Sequence, residues 1–480
     1  MSGDFYFDIT LCKSQISLAV MSKRHFFFLF AACVLFMFIF NPAKLYFLSD
    51  DWDSLLFSLQ PSNILHSFRP LSDASLLLDY SIWQMNASGF HLTNFILHFV
   101  CVFCFYHLSK QLLLLRNNEA VALTLSLTGS LFFLFYPFHS EAIFWIVGRG
   151  AILCTLFGLL SFIFFIKKEK ALTYYPLSLA FFAAALMSYE EAWIIPVIIT
   201  ILAYIIRTQN RTKEVFQVIG FWLLFFLYLG GRFYFTQNII GTPYGSQRMV
   251  NFNVLFLARN FVAFVFRSFV PPLQSSVIFA GVCLVFAVLL IALFWLGRKR
   301  INFTLITSIT FFLISLIPVL PLGIDTHDTE SERFLYFPSV FFILSIIQFF
   351  TIISREKYKV ACAFLVAGII PLWLSYNSFV LSSIITKTTV LTVQKIPSID
   401  TLFCQQLPDQ YKGAFIFRNG FKSMIKLEKK GSVKYVEIVS TSELFDPSKN
   451  YTSEIIDLAK NDSSNNFFIR WTEQKLILKK

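Results

Sequence analysis

Apolar runs of about twenty residues recur along this chain from about residue 25 to about residue 385. A helix needs roughly 20 such residues to cross a bilayer, because every backbone polar group must be bonded within the segment. No other feature restricts the fold as strongly. About eleven spans are expected on this length criterion, at about 25–41, 90–114, 119–136, 142–166, 171–187, 192–206, 215–235, 275–296, 301–320, 334–353 and 359–385. Hydrophobic residues make up 56% of the 480, more than a soluble core of this size uses. A membrane barrel would show ~10-residue alternating segments instead. The expected class is an all-α polytopic membrane protein with a small C-terminal α+β domain.

The net charge of +12 does not point to nucleic acid, because the bases are sorted by position. Short clusters, such as Lys167, Lys168 and Lys170 or Arg298, Lys299 and Arg300, fall in every second connector. That is the positive-inside pattern, and it makes residues 1–24 a cytoplasmic tail. Lys23 and Arg24 precede the first run, and no small-residue cleavage site follows, so it reads as an uncleaved signal-anchor. The domain expected at 25–386 carries two long outer loops, 42–89 and 236–274. The bases of the outer face are Arg69, Arg149, Arg232, Arg248, Arg259, Arg267 and Arg333, with Lys44. Arginine is the side chain whose fork matches phosphate oxygens; the competing reading is snorkelling at the interface. Cys101 and Cys104 form a CxxC inside an apolar run and read as packing.

Acids also gather outside. Asp50-Asp51-Trp52-Asp53 follows the first run, with Asp73 and Asp79 later in the same loop. Other outer connectors carry His139-Ser140-Glu141, Tyr189-Glu190-Glu191 and Asp325 to Arg333. Ionisable groups at membrane depth are costly and default to functional hypotheses. The alternatives are capping of a helix near Ser54 by Asp51 or Asp53, and structural pairing of acids with the outer arginines. His91, Asn94 and His98 share one helix face, as a polar seam lining a cavity or as core. A water-facing carboxylate beside arginines and apolar helices suits a substrate with a phosphate and a long hydrocarbon tail. The carboxylate would act as general base or as ligand for a divalent cation, Mg or Mn.

Several stretches together resemble the C-type glycosyltransferase superfold, and within it the protein O-mannosyltransferases of the ER that carry tetratricopeptide repeats, with their bacterial relatives. They are Asp50-Asp51, Arg69-Pro70-Leu71, Gly89-Phe90-His91-Leu92-Thr93-Asn94 with His98, Phe138-His139-Ser140-Glu141-Ala142 with Val147-Gly148-Arg149, Tyr189-Glu190-Glu191, and Glu332-Arg333-Phe334-Leu335-Tyr336-Phe337-Pro338-Ser339. They are spread over about 40–340. The resemblance implies a polyprenyl-phosphate sugar donor. Asp50 or Asp51 would be base or metal-proximal, Glu141 and His139 would complete an acidic site, and Arg149 and Arg333 would hold the phosphate. Two departures stand out: Tyr189 occupies the place of the family's Lys, and no repeats follow the last span.

Arg232 is expected to join the phosphate binders. Arg69, His91, His139, Glu190 and Glu332 are expected to line the cavity, and Asp51 and Glu141 to be the metal ligands. Asp50 and Asp51 point to opposite sides if extended, and Asp51 is expected to face the substrate. The chain is thus expected to be a glycosyltransferase acting on a hydroxyl of a protein or glycan at the periplasmic face of a bacterial inner membrane. A transporter or flippase of lipid-linked sugars is the alternative, although no internal repeat supports it. Residues 387–480 are expected outside, with a hairpin at Asn419-Gly420, a strand at Val433–Val439, a helix at Ser453–Lys460 and a closing pair of strands at Phe467–Trp471 and Leu476–Leu478.

Overall fold

The computed structural model describes residues 23–472, apart from 116, 169, 172, 207–210, 240–250, 298–302, 354–356, 396–398, 406, 430–432, 439–440, 445–451 and 458–465. Arg248 and the segment Leu476–Leu478 lie outside the described residues.

Each apolar run has a helical counterpart, from Lys23–Ile39 to Lys357–Gln394. Among the described residues, six helices are long and apolar enough to cross a membrane. There are seven if Glu119–Leu134 and Pro137–Phe144, bent by 52°, form one span. Three shorter apolar helices, Tyr174–Leu186, Ser276–Val288 and Phe303–Val319, accompany them. The chain is a multi-pass membrane protein. Six or seven of the expected eleven or so spans thus meet this test among the described residues, and 3-10 turns such as Glu190–Ile194 interrupt some of the apolar runs.

The helices end where the local chemistry requires. The first stops before Asn41-Pro42, where the Asn41 side chain accepts from the Ala43 N–H at 2.9 Å. The first outer loop folds into three helices, Asp50–Ser58, Pro61–Leu65 and Pro70–Trp83, the last two opening on proline. In the loop expected at 236–274, Val254–Arg267 forms a helix capped by Asn253.

The C-terminal region holds two small sheets. In one, β1 (Ile399–Gln405) lies between parallel β4 (Val433–Ile438) and β7 (Asn466–Thr472), and β6 (Thr452–Asp457) pairs antiparallel with β7. In the other, β2 (Leu407–Tyr411) sits between β3 (Ala414–Phe415) and β5 (Thr441–Leu444). Three expectations are corrected here. Asn419-Gly420 makes no hairpin; it leads into a helix, Phe421–Lys429. The helix expected at Ser453–Lys460 is strand β6, whose Ile455 pairs with Ile469. The last long helix runs to Gln394, past the domain boundary expected at 386.

Two apolar cores form. The larger lies among the membrane helices. The second joins Phe47, Trp52, Leu55 and Phe90 from the front of the chain to Leu402, Leu407, Phe417, Phe421 and Met424 from its back. Trp52 is wholly buried there, its ring 5.0 Å from that of Phe47. The C-terminal region is therefore packed directly onto the acidic loop.

Candidate functional site

The site is built around a tight outer turn. After the bend at Pro137 come the helix Ser140–Phe144, a 3-10 turn at Ile146–Gly148, and the helix Arg149–Ile166. Gly148 packs so closely that a Cβ there would strike the Glu141 carbonyl oxygen and the Ala142 backbone. Asn94 holds this turn from within, donating to the Trp145 carbonyl at 3.0 Å and the Ile146 carbonyl at 3.3 Å.

Asp50 and Asp51 lie in the first turn of a helix and not in an extended segment, and their side chains still part, Asp51 inward. Asp51 is 2% exposed. Its two oxygens accept from the Leu48 N–H at 2.8 Å and the Val147 N–H at 3.0 Å. It thus sutures the first outer loop to the tight turn. It does not cap a helix from near Ser54, because the helix already begins at Asp50. Burial pushes the Asp51 carboxyl up to about 8, against the pull of the two backbone donors. Asp50 is half-buried and accepts from Asn419 Nδ2 at 2.7 Å. Asp53 accepts from the Ser423 hydroxyl at 2.5 Å.

The arginines divide in the same way. Arg149 is wholly buried, paired with Asp79 at 2.6 Å, and it donates to the carbonyls of Ile146, Ser75 and Phe90. Its guanidinium, expected at the phosphate, has these partners inside the protein. Arg232 is also enclosed, donating to Glu190 at 2.9 Å and to the Phe68 and Ile239 carbonyls. Arg69 and Arg333 are more open and meet on Tyr189. Arg69 stacks over the Tyr189 ring at 4.0 Å, and Arg333 Nε donates to the Tyr189 hydroxyl at 3.1 Å. Arg69 pairs with Glu190 at 2.9 Å, and Arg333 pairs with Glu141 and donates its own N–H to it at 3.0 Å. Asp50 lies within electrostatic range of Arg333, and so does Arg69. Tyr189 was a departure in the sequence; here it is the platform for two cations.

The other expected residues lie in the walls. Glu332 is 1% exposed, bonded to Arg267 and to Ser140, each at 2.5 Å. His91 is buried with Nε2 3.2 Å from the Tyr46 carbonyl. His139 is buried on the Ser339 hydroxyl at 2.8 Å, its ring 4.3 Å from that of Tyr336. The polar seam is held in part by internal bonds, to carbonyls freed at breaks, while His91 Nδ1, Asn94 Oδ1 and His139 Nδ1 are buried without a hydrogen-bond partner among the described residues. Glu190 and Arg69 are partly exposed; burial would raise the Glu190 carboxyl, but the Arg69 and Arg232 guanidiniums hold it below its ordinary value.

Asp51 and Glu141 are the expected metal pair. The carboxylates of Asp51 and Glu141 are engaged by backbone N–H groups and by Arg333. Among the described residues, the carboxylates that gather within 4.8 Å of one another are Asp325, Asp328 and Glu330. Three hard oxygen donors suit a divalent cation such as Mg or Mn. Burial pushes the Asp328 carboxyl up to about 6.

The residues missed in the sequence come from the far end of the chain. Asn419 and Ser423 bond to the acidic loop, and Arg418 pairs with Glu330 at 2.9 Å and with Asp409 at 3.0 Å. Their only local signal was the Asn-Gly dipeptide. Asp79, the partner of Arg149, was visible as an outer acid without a role.

No family model matches the chain. A protein O-mannosyl-transferase of Caenorhabditis elegans is 30% identical over 130 residues, 27% of this chain and 18% of that protein. The protein O-mannosyl-transferase TMTC3 of Homo sapiens is 28% identical over 148 residues, 30% of this chain and 15% of that one. The chain resembles the TMTC protein O-mannosyl-transferases. It spans less than a fifth of the length of these two relatives. Among solved structures, an oligosaccharyltransferase of Archaeoglobus fulgidus, crystallised with Zn and sulfate, superposes with a TM-score of 0.45 at 9% identity, covering 86% of this chain and 62% of that one.

Proposed function

We propose that this protein is a membrane glycosyltransferase that takes a sugar, mannose by resemblance, from a polyprenyl-phosphate donor and transfers it to a hydroxyl of a protein acceptor. The observation that carries the reading is the Arg69–Tyr189–Arg333 platform with Asp50 in electrostatic range. Both guanidiniums are partly exposed, each with one carboxylate partner, Glu190 or Glu141, and the planar fork of each can bind two phosphate oxygens. The apolar helices would take the polyprenyl tail, and the site would face away from the basic connectors. A bacterial inner membrane remains the setting we favour.

In transfer, Asp50 takes the proton of the acceptor hydroxyl. The hydroxyl oxygen attacks the anomeric carbon, and the bond from that carbon to the phosphate oxygen breaks. The electron pair passes to the phosphate, whose gain in charge Arg69 and Arg333 stabilise. Attack opposite the leaving group inverts the anomeric centre. Asp51, Arg149 and Glu332 hold the frame. Asp325, Asp328 and Glu330, of which Glu330 also pairs with Arg418, would be the residues to hold a divalent cation, which would supply positive charge there.

Asp50→Asn tests the reading. In proteoliposomes supplied with polyprenyl-phosphate mannose and a Ser/Thr peptide, the variant is expected to insert normally and to lose transfer by at least a hundredfold, within the range for general-base removal of about 10²–10⁴. Full transfer by the variant would remove Asp50 from the chemistry. Movement of the lipid-linked sugar across the bilayer without transfer would favour a flippase.

A further inference from the structure

We infer that the segment Ile416–Ser423 of the C-terminal region is a clasp that sets the catalytic position of Asp50, with Asn419 as the positioning residue. The inference rests on the reading of Asp50 as the base. The clasp holds the turn before Asp50 on three sides. The Ser49 N–H donates to the Ile416 carbonyl at 2.9 Å, and the Asn419 N–H donates to the Ser49 hydroxyl at 3.2 Å. Gly420, at φ +81°, lies so close to the Ser49 carbonyl that a Cβ would collide with it. Ser49 itself sits at φ +44°, a conformation that non-glycine residues avoid and that persists only where the surroundings impose it. The clasp is what imposes it.

From this turn Asp50 projects, and Asn419 Nδ2 donates to its Oδ1 at 2.7 Å. Ser423 anchors Asp53, three residues on. The residue before Asn419 makes a second attachment. Arg418 pairs with Glu330, in the loop that leads to Arg333, and Gly413 packs against Thr329 of the same loop. One short segment thus grips both the loop that carries the base and the loop that carries a phosphate-binding arginine. The distance between those groups is set by the C-terminal region, even though more than 360 residues of sequence separate Asn419 from Asp50. The reading explains why the region shares a core with the first outer loop. It also gives transfer a dependence on that region which its position in the chain would not suggest.

The test is a graded series at Asn419 in the full chain, assayed with polyprenyl-phosphate mannose and a Ser/Thr peptide. Asn419→Ala removes the donor and is expected to lower kcat about ten- to a hundredfold, the fold-change for loss of a hydrogen bond to a charged group. The donor KM should stay unchanged, since Arg69 and Arg333 are untouched. Asn419→Asp keeps the shape but sets a like charge beside Asp50, and kcat should fall furthest. Asn419→Ser keeps a shorter donor and should recover part of the loss. Thermal unfolding in detergent should be nearly equal across the series, because the Asn419 side chain is exposed. Wild-type kcat in Asn419→Ala, or losses that follow unfolding temperature and not donor capacity, would overturn the positioning role. Asp50→Asn is run alongside: if it is inactive while Asn419→Ala is normal, the positioning role alone falls; if it is active, the reading of Asp50 falls and takes the clasp's role with it.

Discussion

Replacing Asp51 by Asn separates a structural carboxylate from a catalytic one. Both oxygens of Asp51 are occupied by backbone N–H groups, of Leu48 and Val147. Asn keeps the shape but turns one acceptor into a donor, so one of the two N–H groups faces an NH₂ and loses its partner. A buried donor left unsatisfied costs about 1–3 kcal/mol. The loss falls on the suture between the first outer loop and the turn that carries Glu141, so the melting temperature in detergent should drop. The folded fraction should keep transfer activity within a few-fold. A pH arm sharpens the test. Folding raises the Asp51 carboxyl from 3.8 to about 8. Between these values the folded chain holds a proton that the unfolded chain has released. The stabilisation is therefore present below about pH 4 and lost as pH rises towards 8, with a slope of about 1.4 kcal/mol per pH unit. Asp51→Asn has nothing to titrate and should flatten that slope. An Asp51→Asn protein that melts like the wild type yet transfers no sugar would refute the argument and return Asp51 to the chemistry.

Four further perturbations follow from the same geometry. Arg149→Ala leaves Asp79 buried without its cation and should cost about 3–5 kcal/mol, read as poor yield and a large fall in melting temperature. Arg69→Ala, at a 30% exposed side chain, should leave stability within about 1 kcal/mol and raise the KM for polyprenyl-phosphate mannose. Gly148→Ala should abolish folding, because the added methyl meets backbone that cannot retreat. Gly231→Ala, with nothing within 4 Å, should be neutral or gain about 0.5–1 kcal/mol in thermal unfolding.

Much of the architecture was legible because hydrocarbon imposes it. An apolar run of sufficient length has one stable conformation in lipid, so the positions of the helices could be read to within a few residues. The sorting of bases and acids to alternate connectors could be read in the same way, since it depends on composition and order alone. What could not be read was the length lost at each break. Whether an apolar segment spans or is cut short by a 3-10 turn depends on neighbours that supply partners for the freed carbonyls, as Asn94 does for Trp145 and Ile146.

The roles within the charged set were less legible. His91, His139 and Glu332 were expected to line the cavity and Arg149 to hold the phosphate, because such residue types are costly in a membrane. In the structure they bond to the Tyr46 carbonyl, Ser339, Arg267 and Asp79, respectively. Composition cannot distinguish a charge that waits for a ligand from one already satisfied, because the difference lies in a few ångströms. The C-terminal region was misread for a related reason. Short strands and helices there are chosen by cross-strand pairing and by packing on Trp52, and local propensity is too weak to compete.

The sequence by itself determined a multi-pass helical membrane protein with acids and arginines gathered on one face, since apolar length and charge sorting act along the chain without reference to its folding. The tertiary structure alone decided that Asp51 is buried and Asp50 only half-buried, that Arg69 and Arg333 meet on Tyr189, and that Asn419 reaches Asp50. Those choices depend on burial and on contacts between distant segments, and neither quantity exists until the chain has closed on itself.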